Sequence, residues 1–155
     1  MNERILSVVA SIITHNNKFL VIRRNSKYFK PVKAWFLIRG KKVEVEQRVP
    51  WLEFPGGKIE FGESIEKAAE REVLEEISLK VRAKKILSPI VTYICDDGNM
   101  KSHCFVIPVL CAPKNVSSWK FQKNREVVDI QWLRKGEILK SYHDLAINVF
   151  FEENF

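Results

Sequence analysis

Two apolar runs open the chain: residues 4–13 (RILSVVASII) and Lys18–Arg24 (KFLVIRR), separated by Asn16-Asn17. Short apolar runs broken by a turn dipeptide predict a strand, a tight turn and a return strand. Residues 25–33 (NSKYFKPVK) are polar and basic and read as a loop. A hairpin is expected near residues 34–50. It comprises AWFLIR, a turn at Gly40-Lys41-Lys42, and a half-exposed strand in which Val43 and Val45 alternate with Glu44 and Glu46. Its roles are structural decoration, or a lid or substrate-side wall. The period then lengthens. Between Ile65 and Ile77, residues Ala69, Val73 and Ile77 recur at helical spacing, and Ser64 is placed to cap the helix. Strands return at Lys80–Leu87, Ile90–Cys95 and Ser102–Cys111, with a turn at Asp96-Asp97-Gly98-Asn99 and with Pro108 indicating an edge or a bulge. After a polar loop over 112–125, Glu126–Trp132 reads as a strand and residues 142–151 as a short helix.

This pattern is α/β, and a chain of 155 residues fits one domain of ordinary size. Composition agrees: 46% of residues are apolar, including ten Phe and four Trp, which supports a core and argues against disorder. The net charge of +7 favours anionic partners, namely nucleotides, nucleic acid or an anionic surface, although solubility alone also accounts for it. Basic residues gather at Arg23-Arg24, Lys27–Lys33 and Arg39–Lys42, while residues 60–76 are acidic against that trend. Cys95, Cys104 and Cys111 are odd in number and form no CxxC pair, as expected of reduced thiols in a cytoplasmic protein. His15, His103 and His143 suggest no zinc site. The run Ile5–Ile13 is too short to span a membrane and no cleavage site follows it, so no membrane partner is expected.

The acidic segment carries the chemistry. A turn at Pro55-Gly56-Gly57 precedes the helix, on which Glu72, Glu75 and Glu76 fall within an arc of about 100°. Like charges this close repel one another, so a cation should sit among them. With no His or Cys nearby, the donor set suits Mg²⁺ or Mn²⁺, ions that also grip phosphates and polarise them for attack by water. Arg71 can hold the carboxylates in place or add positive charge. Gly56 and Gly57 allow the backbone close to metal or phosphate. A solvated helix face is the plain alternative for an acidic run taken alone.

In register, Gly57, Glu63, Arg71, Glu72, Val73, Glu75, Glu76 and Leu79 resemble the Nudix box, with Ser78 where the box has glycine. Serine in the left-handed conformation expected there costs about 1 kcal/mol. The stretch LEFPGGKIE followed by GE is similar to the MutT-type branch, whose members hydrolyse nucleoside triphosphates. The resemblance implies a Nudix fold, a mixed sheet sandwiched between helices, spanning 1–155 as a single Nudix hydrolase domain with the 34–50 hairpin added. It implies Mg²⁺-dependent hydrolysis of a nucleoside triphosphate, plain or damaged, to the monophosphate and pyrophosphate.

The resemblance also assigns residues. Gly56, Glu72, Glu75, Glu76 and Glu126 would hold metal, and Glu72, Glu75, Glu126 and Arg71 would form the catalytic set, with Glu72 or Glu126 as the base. Glu126 lies six residues before Trp132, the spacing the branch shows; as a bare strand residue it has no role. Arg24 and Lys58 would face the phosphates. Asp144 stands where the branch places an asparagine near the last helix. It would prefer a base presenting donors, such as the amino group of cytosine or adenine, or it caps the helix. Tyr93, Phe54 and Phe105 stack on a base or pack in the core. Alternative substrates are a dinucleoside polyphosphate, a nucleotide sugar or an RNA 5′ end, the last in keeping with the basic hairpin. A nucleotide sensor without catalysis is a further alternative. Either a monomer or a homodimer is expected.

Overall fold

The computed structural model describes residues 2–155. Asn16 and Asn17 adopt positive φ, 51° and 60°, the turn geometry that matches the twist of its flanking strands. They join β1 (Asn2–His15) to β2 (Lys18–Arg24). The pair is registered only at Thr14↔Phe19 and His15↔Lys18, after which the strands part. β2 turns to β9 (Val127–Leu133). β1 runs antiparallel to the short β5 (Gly56–Lys58) and parallel to β8 (Met100–Pro113).

The parted strands receive the segment leading into the glycines. Glu53 exchanges both backbone hydrogen bonds with Ile22 of β2, at 2.8 and 3.0 Å. Two residues on, Ser11 of β1 donates to the Pro55 carbonyl at 2.7 Å. Residues 53–57 are therefore stitched to both arms of the wedge, which fixes the glycine turn without any helix or long strand of its own.

The expected hairpin forms between β3 (Val32–Ile38) and β4 (Lys41–Gln47). Its turn is Arg39-Gly40, with φ of 51° and 74°, rather than Gly40-Lys41-Lys42. β3 pairs with β7 (Val91–Asp96), so the hairpin extends the main sheet and is not a separate lid. Arg39 forms ion pairs with Glu152 and Glu153. The strand order is β4-β3-β7-β8-β1-β2-β9, and β6 (Val81–Ile86) also pairs with β8.

Pro108 corrects another expectation. It lies on an interior strand, not at an edge. The β7 ladder ends at Val106 and the β6 ladder begins at Val109, so the proline falls in the seam where its missing N–H breaks neither ladder.

Helices cover both faces of this mixed sheet. On one face, Ala68, Ala69, Val73 and Ile77 of α1 (Ile65–Ile77) pack on Val9, Ile13, Leu20, Ile22 and Val109. On the other, Ala146, Ile147, Phe150 and Phe151 of α3 (Leu145–Asn154) meet Ile12, Val21, Phe36 and Phe54. A single turn-and-a-half, α2 (Lys135–Leu139), precedes α3. Burial of a phenylalanine such as Phe150 or Phe151 is worth about 1.5–3 kcal/mol. The cysteines are free, with Cys104 and Cys111 buried. Among the described residues no helix is long and apolar enough to cross a membrane.

Candidate active site

α1 starts as its sequence dictates, with the Ser64 hydroxyl accepting from Lys67 N at 3.1 Å. It ends on Ser78 in the left-handed conformation, φ 58°. The helix leaves carbonyls without intrahelical donors at this end. Two side chains from the loop before β9 take them up: Trp119 Nε1 donates to Ile77 O at 2.8 Å, and Asn124 Nδ2 donates to Glu76 O at 2.9 Å. The acidic end of α1 is thereby tied to the segment that carries Glu126.

Neither glycine of the turn has room for a Cβ in this arrangement. A Cβ on Gly56 would lie 1.9 Å from the Val9 carbonyl oxygen, and one on Gly57 would lie 2.4 Å from the Glu72 carboxylate. Glu72 thus packs flat on bare backbone. Gly56 N donates to Glu76 Oε1 at 3.0 Å.

Two guanidiniums divide the carboxylates between them. Arg71 grips Glu63 through two bonds, at 2.6 and 2.9 Å, and reaches Glu72 at 2.8 Å, Glu75 at 3.1 Å and the Lys58 carbonyl at 2.9 Å. Its hydrogen bonds to Glu63 dominate a raised pKa, and in return they hold the Glu63 carboxyl down at about 2. Nε and both Nη atoms of Arg71 are committed to protein groups, in keeping with the expectation that it holds the carboxylates in place.

Arg24 makes the second cluster. Its Nε donates to Glu53 Oε1 at 2.6 Å, and its Nη2 lies 3.1 Å from Glu76 Oε2. Burial opposes the Arg24 charge, and the charges of Glu53 and Glu76 more than offset it. Glu76 is only 6% exposed. Burial pushes its carboxyl up to about 7, helped by Glu53 and Glu72 and opposed by Arg24 and the Gly56 N–H. The Arg24 contact is close in distance but poorly aligned, so Oε2 is a buried oxygen without a hydrogen-bond donor.

Glu126 is exposed beside Arg24 and lines a cavity with it. Lys58 faces the same side of the sheet as its register partner Val8, and its ammonium is exposed. Asp144 caps α3, accepting from Ala146 N at 3.0 Å. Burial pushes its carboxyl up to about 7, with the Glu53 charge adding to the rise. Tyr93 is stacked on Phe36 at 5.0 Å, and burial, with neighbours that include Asp144, raises its pKa. Phe54 is 7% exposed and meets Phe151 edge-on, so its ring belongs to the core and presents no face to a base. Phe105 lies on the opposite face of the sheet from Tyr93, stacked on His103.

Glu53 was missed by the sequence reading. Its signal was its place one residue before the Phe54-Pro55-Gly56-Gly57 turn, a polar side chain between buried Leu52 and Phe54.

Among the described residues no three acidic, His or Cys side chains converge tightly enough to be a finished metal site. The two arginines stand between them. The donor chemistry nonetheless fits a hard divalent cation: carboxylates only, bare glycine backbone, and one buried oxygen lacking a donor.

A model of the NUDIX domain matches residues 4–152. The chain belongs to the Nudix family. Solved structures agree on the fold. The MutT protein from Methanosarcina mazei Go1 has 19% identity over 99% of this chain and 98% of its own, with a TM-score of 0.65. A MutT Nudix hydrolase from Burkholderia pseudomallei has 16% identity over 98% and 99%, with a TM-score of 0.62. An ADP-ribose pyrophosphatase from Streptococcus suis 89-1591 has 16% identity over 97% and 83%, with a TM-score of 0.56. This Nudix domain retains every carboxylate of the box and has a fold like that of the MutT proteins.

Proposed function

We propose that this Nudix hydrolase splits a nucleoside triphosphate, plain or modified, into the monophosphate and pyrophosphate, with a divalent cation of the Mg²⁺ type. The observation that supports it most is the convergence of Glu72 and buried Glu76 on the bare backbone of Gly56-Gly57. Glu72, Glu75 and Glu76, with the Gly56 carbonyl and Glu126, would hold the cation. Such an ion neutralises phosphate charge and polarises phosphorus for attack by water.

The chain's own groups divide the remaining work. Arg71 locks Glu63, Glu72 and Glu75 into one arrangement, which lowers the reorganisation needed at the reacting atoms. Arg24 is a forked donor held by Glu53, and a phosphate could replace its badly aligned contact to Glu76. Lys58 adds an unpaired positive charge on the nucleotide side. Glu72 or Glu126 would accept the proton of the attacking water. Asp144, with Tyr93 near it, would read the base edge. At a carboxyl value of about 7 it is a donor in acid and an acceptor only in alkali.

The test is a nucleotide panel with Mg²⁺, the products separated by anion exchange. Monophosphate and pyrophosphate in equal amounts are expected from at least one triphosphate. Release of orthophosphate only, or no turnover of any triphosphate, sinks the proposal.

A further inference from the structure

Glu53 and Arg24 leave the same face of the sheet. Glu53 is bridged antiparallel to Ile22, and Arg24 lies two residues beyond Ile22 on β2, so both side chains point to the side on which α1 packs. Glu76, near the end of α1, meets Arg24 from that side.

The three groups are bound unequally. Arg24 Nε donates to Glu53 Oε1 at 2.6 Å, a short charge-assisted bond. Its acceptor is anchored, because Glu53 also exchanges both backbone hydrogen bonds with Ile22. Arg24 Nη2 comes within 3.1 Å of Glu76 Oε2 but is aligned too poorly to donate to it. The guanidinium makes no other hydrogen bond among the described residues. Glu76 is thus half-satisfied: Gly56 N donates to Oε1 at 3.0 Å, and Oε2 is buried without a donor.

A guanidinium is a rigid planar fork, so fixing its Nε–H fixes the direction of the other N–H groups. With Nε turned to Glu53, the fork cannot close on Glu76. Released from Glu53, Arg24 would have the buried Glu76 carboxylate within reach and would take it with two parallel donors, the geometry in which arginine binds carboxylates most strongly. A cation approaching Oε2 would then have to displace a bidentate ion pair instead of a misaligned contact. We propose that Glu53 is a positioning residue for the metal site: it withholds Arg24 from Glu76 and so keeps Glu76 Oε2 open to the divalent cation. This rests on the hydrolase reading above, which places Glu76 among the groups that hold the cation.

The test measures Mn²⁺ binding to the full chain without nucleotide, from the electron paramagnetic resonance of the free ion. It uses a cycle of Glu53→Leu, Arg24→Gln and the double variant, with thermal unfolding to show that each is folded. Glu53→Leu should weaken Mn²⁺ about tenfold or more, as expected when the ion must displace charge-assisted hydrogen bonds. In the Arg24→Gln background the same substitution should change the affinity by less than about twofold, because no guanidinium remains to close on Glu76. Glu53→Gln keeps an acceptor for Arg24 Nε and should lose clearly less than Glu53→Leu. Should Glu53→Leu fail to fold, Glu53→Ala replaces it in the same cycle. An equal loss in both backgrounds, an equal loss from Glu53→Gln, or an unchanged affinity in a folded Glu53→Leu would overturn the positioning role. If wild type binds no Mn²⁺ and turns over no nucleotide, it is the hydrolase reading beneath that fails.

Discussion

Gly56 and Gly57 are neighbours whose substitution should have opposite consequences. A methyl group on Gly57 would meet the Glu72 carboxylate at 2.4–2.6 Å. Contact needs roughly 3.5 Å, so the carboxylate must retreat by about 1 Å. Glu72 is the free end of a flexible side chain, and Gly57 has no positive φ, so the retreat costs little stability. One charged hydrogen bond to Arg71 is weakened, and alanine's smaller unfolded-state entropy returns about 0.4–1 kcal/mol. A displacement of 1 Å at a reacting centre costs about a hundredfold in rate. Gly57→Ala should therefore keep its melting temperature within a few degrees and lose about a hundredfold in kcat/KM.

Gly56→Ala should do the reverse in emphasis. Its methyl would lie 1.9 Å from the backbone carbonyl oxygen of Val9, which no rotamer can relieve. The β1–β5 pairing must yield, and a loss of about 2–4 kcal/mol is expected. Gly136→Ala, with open space around its Cβ position, is the control. Urea unfolding and steady-state hydrolysis of the preferred triphosphate measure both effects. If Gly57→Ala retains activity within twofold of wild type, Glu72 is not working where the geometry places it.

Ser78→Gly should stabilise the protein by about 1 kcal/mol, because Ser78 holds φ at 58°; activity should not change, and a loss of stability by urea unfolding would contradict the assigned helix end. Asp144 makes a signed prediction. Its folded carboxyl value of about 7 exceeds its ordinary 3.8, so the folded chain keeps a proton that the unfolded chain releases. Its contribution is fully present below about pH 4 and is lost as pH rises through about 7, by at most about 4 kcal/mol. Glu76 adds a change of the same sign. Unfolding midpoints at pH 5 and pH 8 should therefore differ less in Asp144→Asn than in wild type, and equal differences would refute this account of Asp144. Asn124→Ala removes the bond to the Glu76 carbonyl and the side-chain oxygen that accepts from Glu126 N and Val127 N, each at 2.8 Å. It should cost about 1–3 kcal/mol and speed amide exchange across 121–126, and unchanged exchange there would contradict the tie between that loop and α1.

The local elements were legible because their signals are local. Asn16-Asn17, Ser64 and the Ala69-Val73-Ile77 stripe each act within a few residues, and the bounds of α1 match the expectation, whereas the last helix, expected over 142–151, runs Leu145–Asn154. Long-range pairing was not legible. Nothing in residues 4–13 states that β1 leaves β2 after two residue pairs and runs parallel to β8. For the same reason Pro108 was read as marking an edge or a bulge, since its tolerance depends on where two other ladders stop. At the site, the box spacing located Glu72, Glu75 and Glu76. It did not show that Arg71 would be consumed by Glu63, nor that Glu53 would hold Arg24 across 29 positions of chain. The Arg24–Glu53 contact depends on the wedge between β1 and β2, where Glu53 pairs with Ile22. For Phe54 stacking and core packing stayed open because aromatic character is common to both, and only the packing of α3 decides between them.

The claim on which the rest depends is that the buried end of α1 serves a metal-dependent hydrolysis. The most direct measurement is the turnover of Glu76→Gln at saturating Mg²⁺, on the triphosphate that wild type prefers, with its thermal unfolding recorded alongside. Glutamine keeps an acceptor for Gly56 N and removes a charge whose burial is costly, so the fold should remain as stable as wild type within a few degrees. It removes a carboxylate from the cation's donor set, so kcat should fall about a hundredfold or more. A stable Glu76→Gln that turns over within twofold of wild type would contradict the account.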